Sequence, residues 1–262
     1  IINTNIASLN SQRVLDRTNN DLKTSMERLS SGLRVNSAKD DAAGLAISNR
    51  MTSQIRGMTV AVRNASDGIS LAQTAEAAMG ILTDTMQRMR DLAVQSANDG
   101  AVTGQDRDKL QSEVKQLNDE LARIITSSEF NGKKIINGSL AGGVFFQVGP
   151  NTSADNRISV DVSDLALTIN SVTLASIGAG ATDVGARGAI DAIDNAIKAI
   201  DTSRAKLGAV QNRFTTTISN LQSSIENQSS ARSRITDTDF AMETANLSRN
   251  QILQQAGTAM LA

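Results

Sequence analysis

The sequence has 262 residues, 40% of them hydrophobic, with no Cys, His, Trp or Tyr, five Phe and one Pro. Without His or Cys, the chain cannot build a histidine metal site, a cysteine nucleophile, a Ser-His-Asp triad or a disulfide framework. Because 26 basic residues are balanced by 27 acidic ones, net charge does not favour binding to nucleic acid. Composition therefore argues against an enzyme, and we expect no catalytic residues, no metal, no cofactor and no nucleic-acid partner.

The apolar residues are almost all Ala, Leu, Ile, Val and Met, which suits helices packed side by side around a thin core. Pro150 is the only proline, so long stretches before and after it are free of the residue that breaks helices most reliably. No apolar run approaches the ~18 residues of a membrane span, so no membrane insertion is expected. The N-terminus shows no secretory signal peptide, which is compatible with a cytoplasmic protein or with export by a machine that reads other signals.

The first predicted helix covers residues 1–34. Leu15, Leu22 and Leu29 recur every seven residues and form one stripe, with Ile6, Leu9 and Met26 on or near the same side. The run Ser30-Ser31-Gly32 is a stop signal. This stripe is only moderately apolar, so the helix is expected to need a partner. A polar connector, residues 35–41, follows and ends in Asp40 and Asp41, which are well placed to cap the next helix rather than to bind a metal.

A long second helix is predicted from Ala42 to about Asn98, and a third from Asp106 to Ile125. The short turn between them makes the third helix the antiparallel neighbour of the second. Gly57, Gly68 and Gly80 lie inside the second helix, where glycine is unfavourable, so neighbours are expected to approach its backbone closely. The methionines of this helix, at positions 51, 58, 79, 86 and 89, are interpreted as core filling.

Residues 127–185 have a different pattern, which predicts hairpins and loops. Asn131-Gly132 and Asn137-Gly138 are hairpin turn signals, and residues 144–148 and 157–162 are short strand candidates. The helical period returns after Gly188 and continues to Ile225, with Arg204 and Gln211 at positions that often fix helix register. A second acidic connector, residues 235–239, precedes a last helix from Ala241 to the end of the chain.

These elements predict a mainly α fold, a long antiparallel helical coiled-coil rod with a small β-hairpin region near the middle of the chain. The terminal pair of helices comprises residues 1–34 and 240–262, and the two connectors are residues 35–41 and 235–239. The helical rod domain comprises residues 42–126 and 186–234, and its β/loop part is residues 127–185. The alternative is a cytosolic helical bundle whose two ends merely look alike.

Several motifs resemble bacterial flagellin. They are Asn3-Thr4-Asn5 at the start, the run from Glu27 to Ile47, residues 61–70 and 87–95, the groups Phe130-Asn131-Gly132 and Gln147-Val148-Gly149, and the run from Ala231 to Ala241. The similarity covers residues 1–150 and 186–262, with long motifs in the right order. Because the central segment is short, the bulky outer domains of larger flagellins are expected to be absent.

The resemblance implies a structural subunit of the bacterial flagellar filament, secreted by flagellar type III export, self-polymerising outside the cell and serving motility. It implies that the chain ends line the filament core, which makes candidate packing residues of Leu15, Leu22, Leu29, Leu247 and Ile252. The implied partners are further copies of the chain, an export chaperone, the filament cap, hook-associated proteins and a host Toll-like receptor.

The resemblance also implies a receptor-recognition site at Arg88, Leu92 and Glu113. Arg88 and Leu92 are four residues apart and share a helix face, and Glu113 lies on the adjacent predicted helix. The alternative is that Arg88 and Glu113 are solvated charges and that Leu92 belongs to the helix seam.

Two other functions remain open at this point. One is the hook–filament junction protein, which shares the terminal pattern and would not form long filaments. The other is a flagellin-like cell-surface protein that binds a polysaccharide or host ligand, although the sequence offers no aromatic platform for sugars.

Overall fold

A computed structural model describes residues 5–162, 164–165, 172, 177–178 and 183–261. The start of the predicted first helix, residues 1–4, and much of the second half of the predicted β/loop part lie outside the described residues, as does the final residue of the chain. In the part of the chain that is described, no helix is long and apolar enough to cross a membrane.

The described residues form a mainly α fold, as predicted. Its helices are α1 (Ile6–Ser31), α2 (Ala42–Ser96), α3 (Gly104–Ser127), α4 (Asp183–Thr236) and α5 (Phe240–Leu261). Helix α4 begins several residues before the predicted Gly188 and continues through Thr236, so it includes the first residues of the predicted second connector.

Local capping explains where α1 begins and ends. The Asn5 side-chain oxygen accepts hydrogen bonds from the Ala7 and Ser8 backbone N–H groups at 3.1 and 3.2 Å, which satisfies donors that the first turn leaves unpaired. Gly32 ends the helix with φ 71°, a conformation that glycine adopts without steric cost.

The chain divides into two compact units, and both α2 and α4 contribute residues to each of them. Unit 1 comprises Ile1–Gly57 and Ser223–Ala262. Within it α1 and α5 pack antiparallel: Gln254 Nε2 donates to Asn19 Oδ1 at 2.8 Å, and the Arg28 guanidinium lies 3.7 Å from the Glu243 carboxylate.

Unit 2, Met58–Gln222, contains the main apolar core. Helix α2 contributes small residues and methionines that are buried, as its pattern predicts, including Ala72, Ala75, Met79, Met86 and Met89. Helices α3 and α4 cover this face with side chains such as Leu121, Ile200 and Phe214.

Polar residues meet at one point of the contact between α2 and α4. Gln211 Nε2 donates to Glu76 Oε2 at 3.0 Å, and the Arg204 guanidinium lies 4.0 Å from Glu76 Oε1. Gln211 and Arg204, the two residues predicted to fix register, therefore share one carboxylate partner on the facing helix. A shift of either helix by one heptad would separate these groups, which is how a polar contact specifies register.

Two small antiparallel strand pairs lie in unit 2. Strands β1 (Glu129–Phe130) and β2 (Lys133–Lys134) are joined by Asn131-Gly132, whose φ angles of 49° and 75° are those of the predicted tight turn. Strands β3 (Val144–Gln147) and β4 (Arg157–Val160) pair with Val144 opposite Val160. Both predicted strands are therefore present, each slightly shorter than its pattern.

The predicted hairpin turn at Asn137-Gly138 is wrong, because no strand pair flanks it among the described residues. Gly138 does adopt a positive φ of 85°. However, the neighbouring residues Ile135 and Ile136 are both fully buried, whereas successive side chains of a strand point to opposite faces. The segment is therefore a loop whose apolar side chains pack into the core.

Candidate functional surfaces

Arg88 and Glu113 form a direct ion pair between α2 and α3. Glu113 Oε1 accepts hydrogen bonds from Arg88 Nε at 3.0 Å and from its terminal nitrogen at 2.7 Å. Both side chains are exposed, so this contact is expected to contribute little to stability, about 0–1 kcal/mol. Leu92, one turn further along α2, is only 2% exposed and belongs to the core. The surface at this site is therefore formed by Arg88 and Glu113, without Leu92.

The candidate packing residues of the terminal helices differ in exposure. Leu15, Leu22, Leu29 and Leu247 are half-buried, whereas Ile252 is 66% exposed. The contact between α1 and α5 is close near the chain ends, because a Cβ placed on Gly257 would lie 3.3 Å from Leu15 Cδ1. The leucines thus pack within unit 1, and Ile252 remains available for another surface.

Many other apolar side chains of α1 and α5 are also exposed. Besides Ile252, they are Ile6, Leu9, Val14, Met26, Phe240, Met242, Leu253 and Met260. The pattern placed Ile6, Leu9 and Met26 on or near the side of the leucine stripe, but these three are exposed, and apart from Ile252 the other exposed residues were not identified from the sequence. The available signal was the pair of adjacent apolar residues Ile252 and Leu253, because successive helical positions lie about 100° apart and make the apolar surface wider than a single leucine stripe.

The segment that follows α1 is hydrogen-bonded to the end of α4 and to the connector after it. Thr236 O accepts from Arg34 N at 2.6 Å, and Thr238 N donates to Gly32 O at 3.0 Å. The Arg34 side chain also donates to the Ile235 carbonyl at 2.7 Å, at the C-terminal end of α4. A helix C-terminus carries unpaired carbonyls and partial negative charge, so a guanidinium is a favourable cap there. Nothing in the local pattern around Arg34 indicated this partner, which lies 201 residues away in the sequence.

The connector aspartates accept hydrogen bonds from nearby backbone and hydroxyl groups. Asp41 Oδ1 accepts from Gly44 N at 2.8 Å, and Asp239 Oδ1 accepts from Ala241 N at 2.9 Å, so both cap helices. The Ser37 hydroxyl and backbone N–H bind Asp40 Oδ2 and lower the pKa of that carboxyl. The Ser233 and Thr236 hydroxyls lower the pKa of Asp237 in the same way. Across the described residues, no group of acidic side chains is arranged to hold a metal ion.

The sequence matches known proteins along most of its length. Residues 2–141 match the family model of the bacterial flagellin N-terminal helical region, and residues 190–262 match that of the C-terminal helical region. Flagellin A of Vibrio cholerae serotype O1 is 39% identical over 363 positions, covering 100% of this chain and 95% of the relative. Flagellin B of Vibrio anguillarum is 38% identical over 360 positions, with the same coverage. Both alignments are longer than this chain, so these relatives have residues with no counterpart here.

Solved structures resemble the fold. The crystal structure of Bacillus cereus flagellin matches with a TM-score of 0.52 and 30% identity, covering 61% of this chain and 88% of that one. A flagellar hook-associated protein from Vibrio parahaemolyticus matches with a TM-score of 0.64, covering 76% of this chain and 100% of that one. At 12% identity, the second likeness concerns the fold alone.

Proposed function

The chain belongs to the bacterial flagellin family, and we propose that its paired terminal helices form the surface through which its copies pack in the filament. As a member of this family it is a structural subunit of the extracellular flagellar filament. The observation that carries the proposal is the set of exposed apolar side chains on α1 and α5. Residues 1–34 with 240–262 would then be the packing part, residues 35–41 with 235–239 the connectors, and residues 42–126 with 186–234 the helical rod, with 127–185 as its β/loop part.

The energetics of the terminal pair support this assignment. Fully burying one Leu, Ile or Met side chain stabilises by about 1.5–3 kcal/mol. In unit 1 the leucines are half-buried, so their burial gives only part of this stabilisation, and the exposed Ile252 gives little. Contact between copies would bury the remainder, so polymerisation and ordering of the chain ends would stabilise each other.

Substitution of Ile252 tests the packing role. Ile252→Asp should leave the fold of the free subunit unchanged, because the side chain is 66% exposed. It should raise the critical concentration for polymerisation by on the order of tenfold or more, because a carboxylate would be moved from water into an apolar contact. The measurement is sedimentation of filaments from purified subunit, with circular dichroism of the monomer.

Ile252→Leu is the matched control, since it keeps the apolar volume and should polymerise like the unchanged protein. Polymerisation of the Asp variant at the same critical concentration would remove Ile252 from the packing surface. Long filaments, seen by electron microscopy, would also separate this role from that of a hook–filament junction protein. The 39% identity to a filament flagellin favours the filament role over that alternative.

We further propose that the Arg88–Glu113 pair is recognised by a host Toll-like receptor. It is exposed, charged and fixed in place across two helices. Leu92 would act by supporting α2 from the core rather than by direct contact, since it is buried. We propose that the chain is exported through the flagellar type III channel. Its other proposed partners are an export chaperone, the filament cap and hook-associated proteins. No catalytic role is proposed, because the family is structural.

A charge reversal distinguishes receptor contact from a structural role of the pair. Arg88→Glu should reduce receptor signalling on the order of tenfold, which corresponds to loss of one charged interfacial contact. The double variant R88E/E113R restores an ion pair with reversed charges. If the receptor reads these side chains, signalling stays low in the double variant. If the pair only supports the fold, signalling returns.

The pair Glu120 and Arg123 on α3 supplies the control, because it is equally a surface ion pair, with a 2.5 Å contact. Its reversal, E120R/R123E, should leave signalling unchanged. Unchanged signalling by the Arg88→Glu variant would remove this site from the proposal.

A further inference from the structure

The methionines of the chain divide by exposure. Met26, Met242 and Met260 are 49%, 62% and 79% exposed, and all three lie on the terminal helices α1 and α5. Four others, Met58, Met79, Met86 and Met89, are buried along α2 in unit 2. Met51, on the part of α2 that belongs to unit 1, is half-buried. The buried set fills the core, as its spacing predicts, but core filling does not account for the exposed set.

Two of the exposed methionines border solvent-filled recesses in unit 1. Met26 lines a recess of about 420 Å³ with polar neighbours that include Lys23, Glu27 and Asn36. Met242 lines another of about 390 Å³, beside Arg28 and Asp239. A small water-soluble reagent can therefore reach these side chains in the free subunit, whereas the close-packed core around Met79, Met86 and Met89 excludes it.

The relevant chemistry is oxygen transfer from a peroxide. The thioether sulfur attacks one peroxide oxygen, the O–O bond breaks, the sulfur is oxidised to a sulfoxide, and hydrogen peroxide is reduced to water. The product is polar and chiral, and methionine sulfoxide reductases return it to the thioether. Susceptibility follows exposure, so the three terminal methionines should react first.

We propose that Met26, Met242 and Met260 are oxidation sites whose conversion to sulfoxide blocks polymerisation of the free subunit, reversibly. This inference rests on the proposed function, since it requires the terminal helices to pack between copies. On assembly a sulfoxide oxygen on that surface would exchange water for contact with the apolar side chains of a neighbouring copy, which opposes packing. Assembly in turn would cover the same sulfurs, so the filament resists the oxidant that inactivates the subunit.

The first measurement concerns the sites alone. Purified subunit is treated with hydrogen peroxide, and sulfoxide at each methionine is followed by peptide mass spectrometry. Met26, Met242 and Met260 should oxidise about tenfold faster or more than the four buried methionines of the same molecule, which act as internal controls. In preassembled filaments the three should react more slowly than in free subunit. Equal rates at exposed and buried positions would overturn the assignment of the sites, whether or not the chain polymerises.

The second measurement concerns assembly. Oxidised subunit should show a critical concentration raised on the order of tenfold, and treatment with the two methionine sulfoxide reductases together, one for each sulfoxide epimer, should restore it. The variant M26L/M242L/M260L keeps the apolar volume, and its assembly should be unaffected by peroxide. Because reductase rescue uses the unchanged sequence, it remains decisive if the triple variant folds or assembles poorly.

The outcomes separate this inference from the proposed function. Normal assembly of subunit shown to carry all three sulfoxides would overturn the inference and leave the proposed function standing. Loss of assembly that reductase cannot reverse would overturn it as well. Failure of untreated subunit to polymerise, or unchanged assembly of the Ile252→Asp variant, would count against the proposed function, and the site-selectivity result would still stand.

Discussion

Gly68→Ala is expected to lower the free energy of unfolding of unit 2 by about 1–3 kcal/mol, the cost of overpacking a filled core, although alanine is the better helix former. A Cβ on Gly68 would lie 2.6 Å from Phe214 Cζ and 2.9 Å from Phe214 Cε2. The ring cannot easily move away, because Phe214 is fully buried and meets the ring of Phe146 edge to face, with centroids 5.7 Å apart. Chemical denaturation of the two proteins measures the difference.

Gly80→Ala is the matched control in the same helix. Apart from the adjacent residues and the nearby backbone of α2 itself, no atom of the described residues lies within 4 Å of a Cβ placed on Gly80. The substitution should therefore stabilise by about 0.5–1 kcal/mol through helix propensity alone. The two glycine variants are thus expected to change stability in opposite directions. Equal stabilisation by both would show that the backbone of α2 does not need to approach Phe214.

Phe214→Leu makes the coupling between the two sites measurable. Leucine removes the aromatic ring that a Cβ on Gly68 would meet, so G68A should cost less in the F214L background than in the unchanged protein. A double-mutant cycle gives this interaction free energy directly, and for residues in contact it is expected to be about 0.5–3 kcal/mol. A cycle that closes to zero would attribute the G68A effect to something other than this contact.

The helices could be predicted from sequence because, in each of them, apolar residues recur at the helical period along the side that is buried. Val114, Leu121 and Ile124 recur at three- and seven-residue steps on α3, and all three are buried. Polar residues within such a stripe were also informative, since Gln211 does contact Glu76 on the facing helix. Periodicity determines which face of a helix is inside, and that information is local.

Contacts between distant segments could not be predicted in the same way. The glycines predicted close neighbours along α2, which is confirmed at Gly68 and wrong at Gly80. They did not identify Phe214 as the neighbour of Gly68, because a stripe allows two helices to pair at several offsets. The partner of Arg34 depends on the relative placement of two connectors. Asn137-Gly138 has the local chemistry of a hairpin turn, but burial of the adjacent Ile135 and Ile136 determines the path of the chain there.

The candidate site residues show the same limit. Motif resemblance identified Arg88 and Glu113, and the antiparallel arrangement of α2 and α3 brings them together. Resemblance could not tell whether Leu92 faces solvent, because a residue four positions from an exposed arginine lies at the border of the buried stripe. Met26 was assigned to the side of the leucine stripe and is 49% exposed instead, and Met242 and Met260 were not identified from the sequence.

Arg107 holds the turn between α2 and α3, and its removal is the second large effect expected. Its side chain is almost completely buried: Nε donates to the Ser96 carbonyl at 3.1 Å, and a terminal nitrogen donates to Asp99 Oδ1 at 2.6 Å. Ser96 is itself buried, and its hydroxyl donates to the Ile177 carbonyl at 2.7 Å. Arg107 therefore caps the last residue of α2 from the first turns of α3.

Arg107→Met is expected to lower the free energy of unfolding by about 2–3 kcal/mol, the range for hydrogen bonds from a charged donor. Methionine keeps most of the apolar stem, so the loss reflects the donors. The two acceptors contribute unequally. Asp99 is largely exposed and regains water when the arginine is removed, whereas the buried Ser96 carbonyl does not, and an unsatisfied buried acceptor accounts for most of the cost.

Arg123→Met on α3 is the control for loss of an arginine as such. The Arg123 guanidinium forms an ion pair with Glu120 at the surface, so its replacement should cost less than about 1 kcal/mol. Arg107→Lys should fall between the two, because a single ammonium can reach one acceptor but cannot reproduce the planar fork that reaches both. Urea unfolding measures the loss of unfolding free energy in each variant. If the loss for Arg107→Met were no larger than that for Arg123→Met, apolar packing alone would stabilise the turn, and the hydrogen bonds of Arg107 would not contribute.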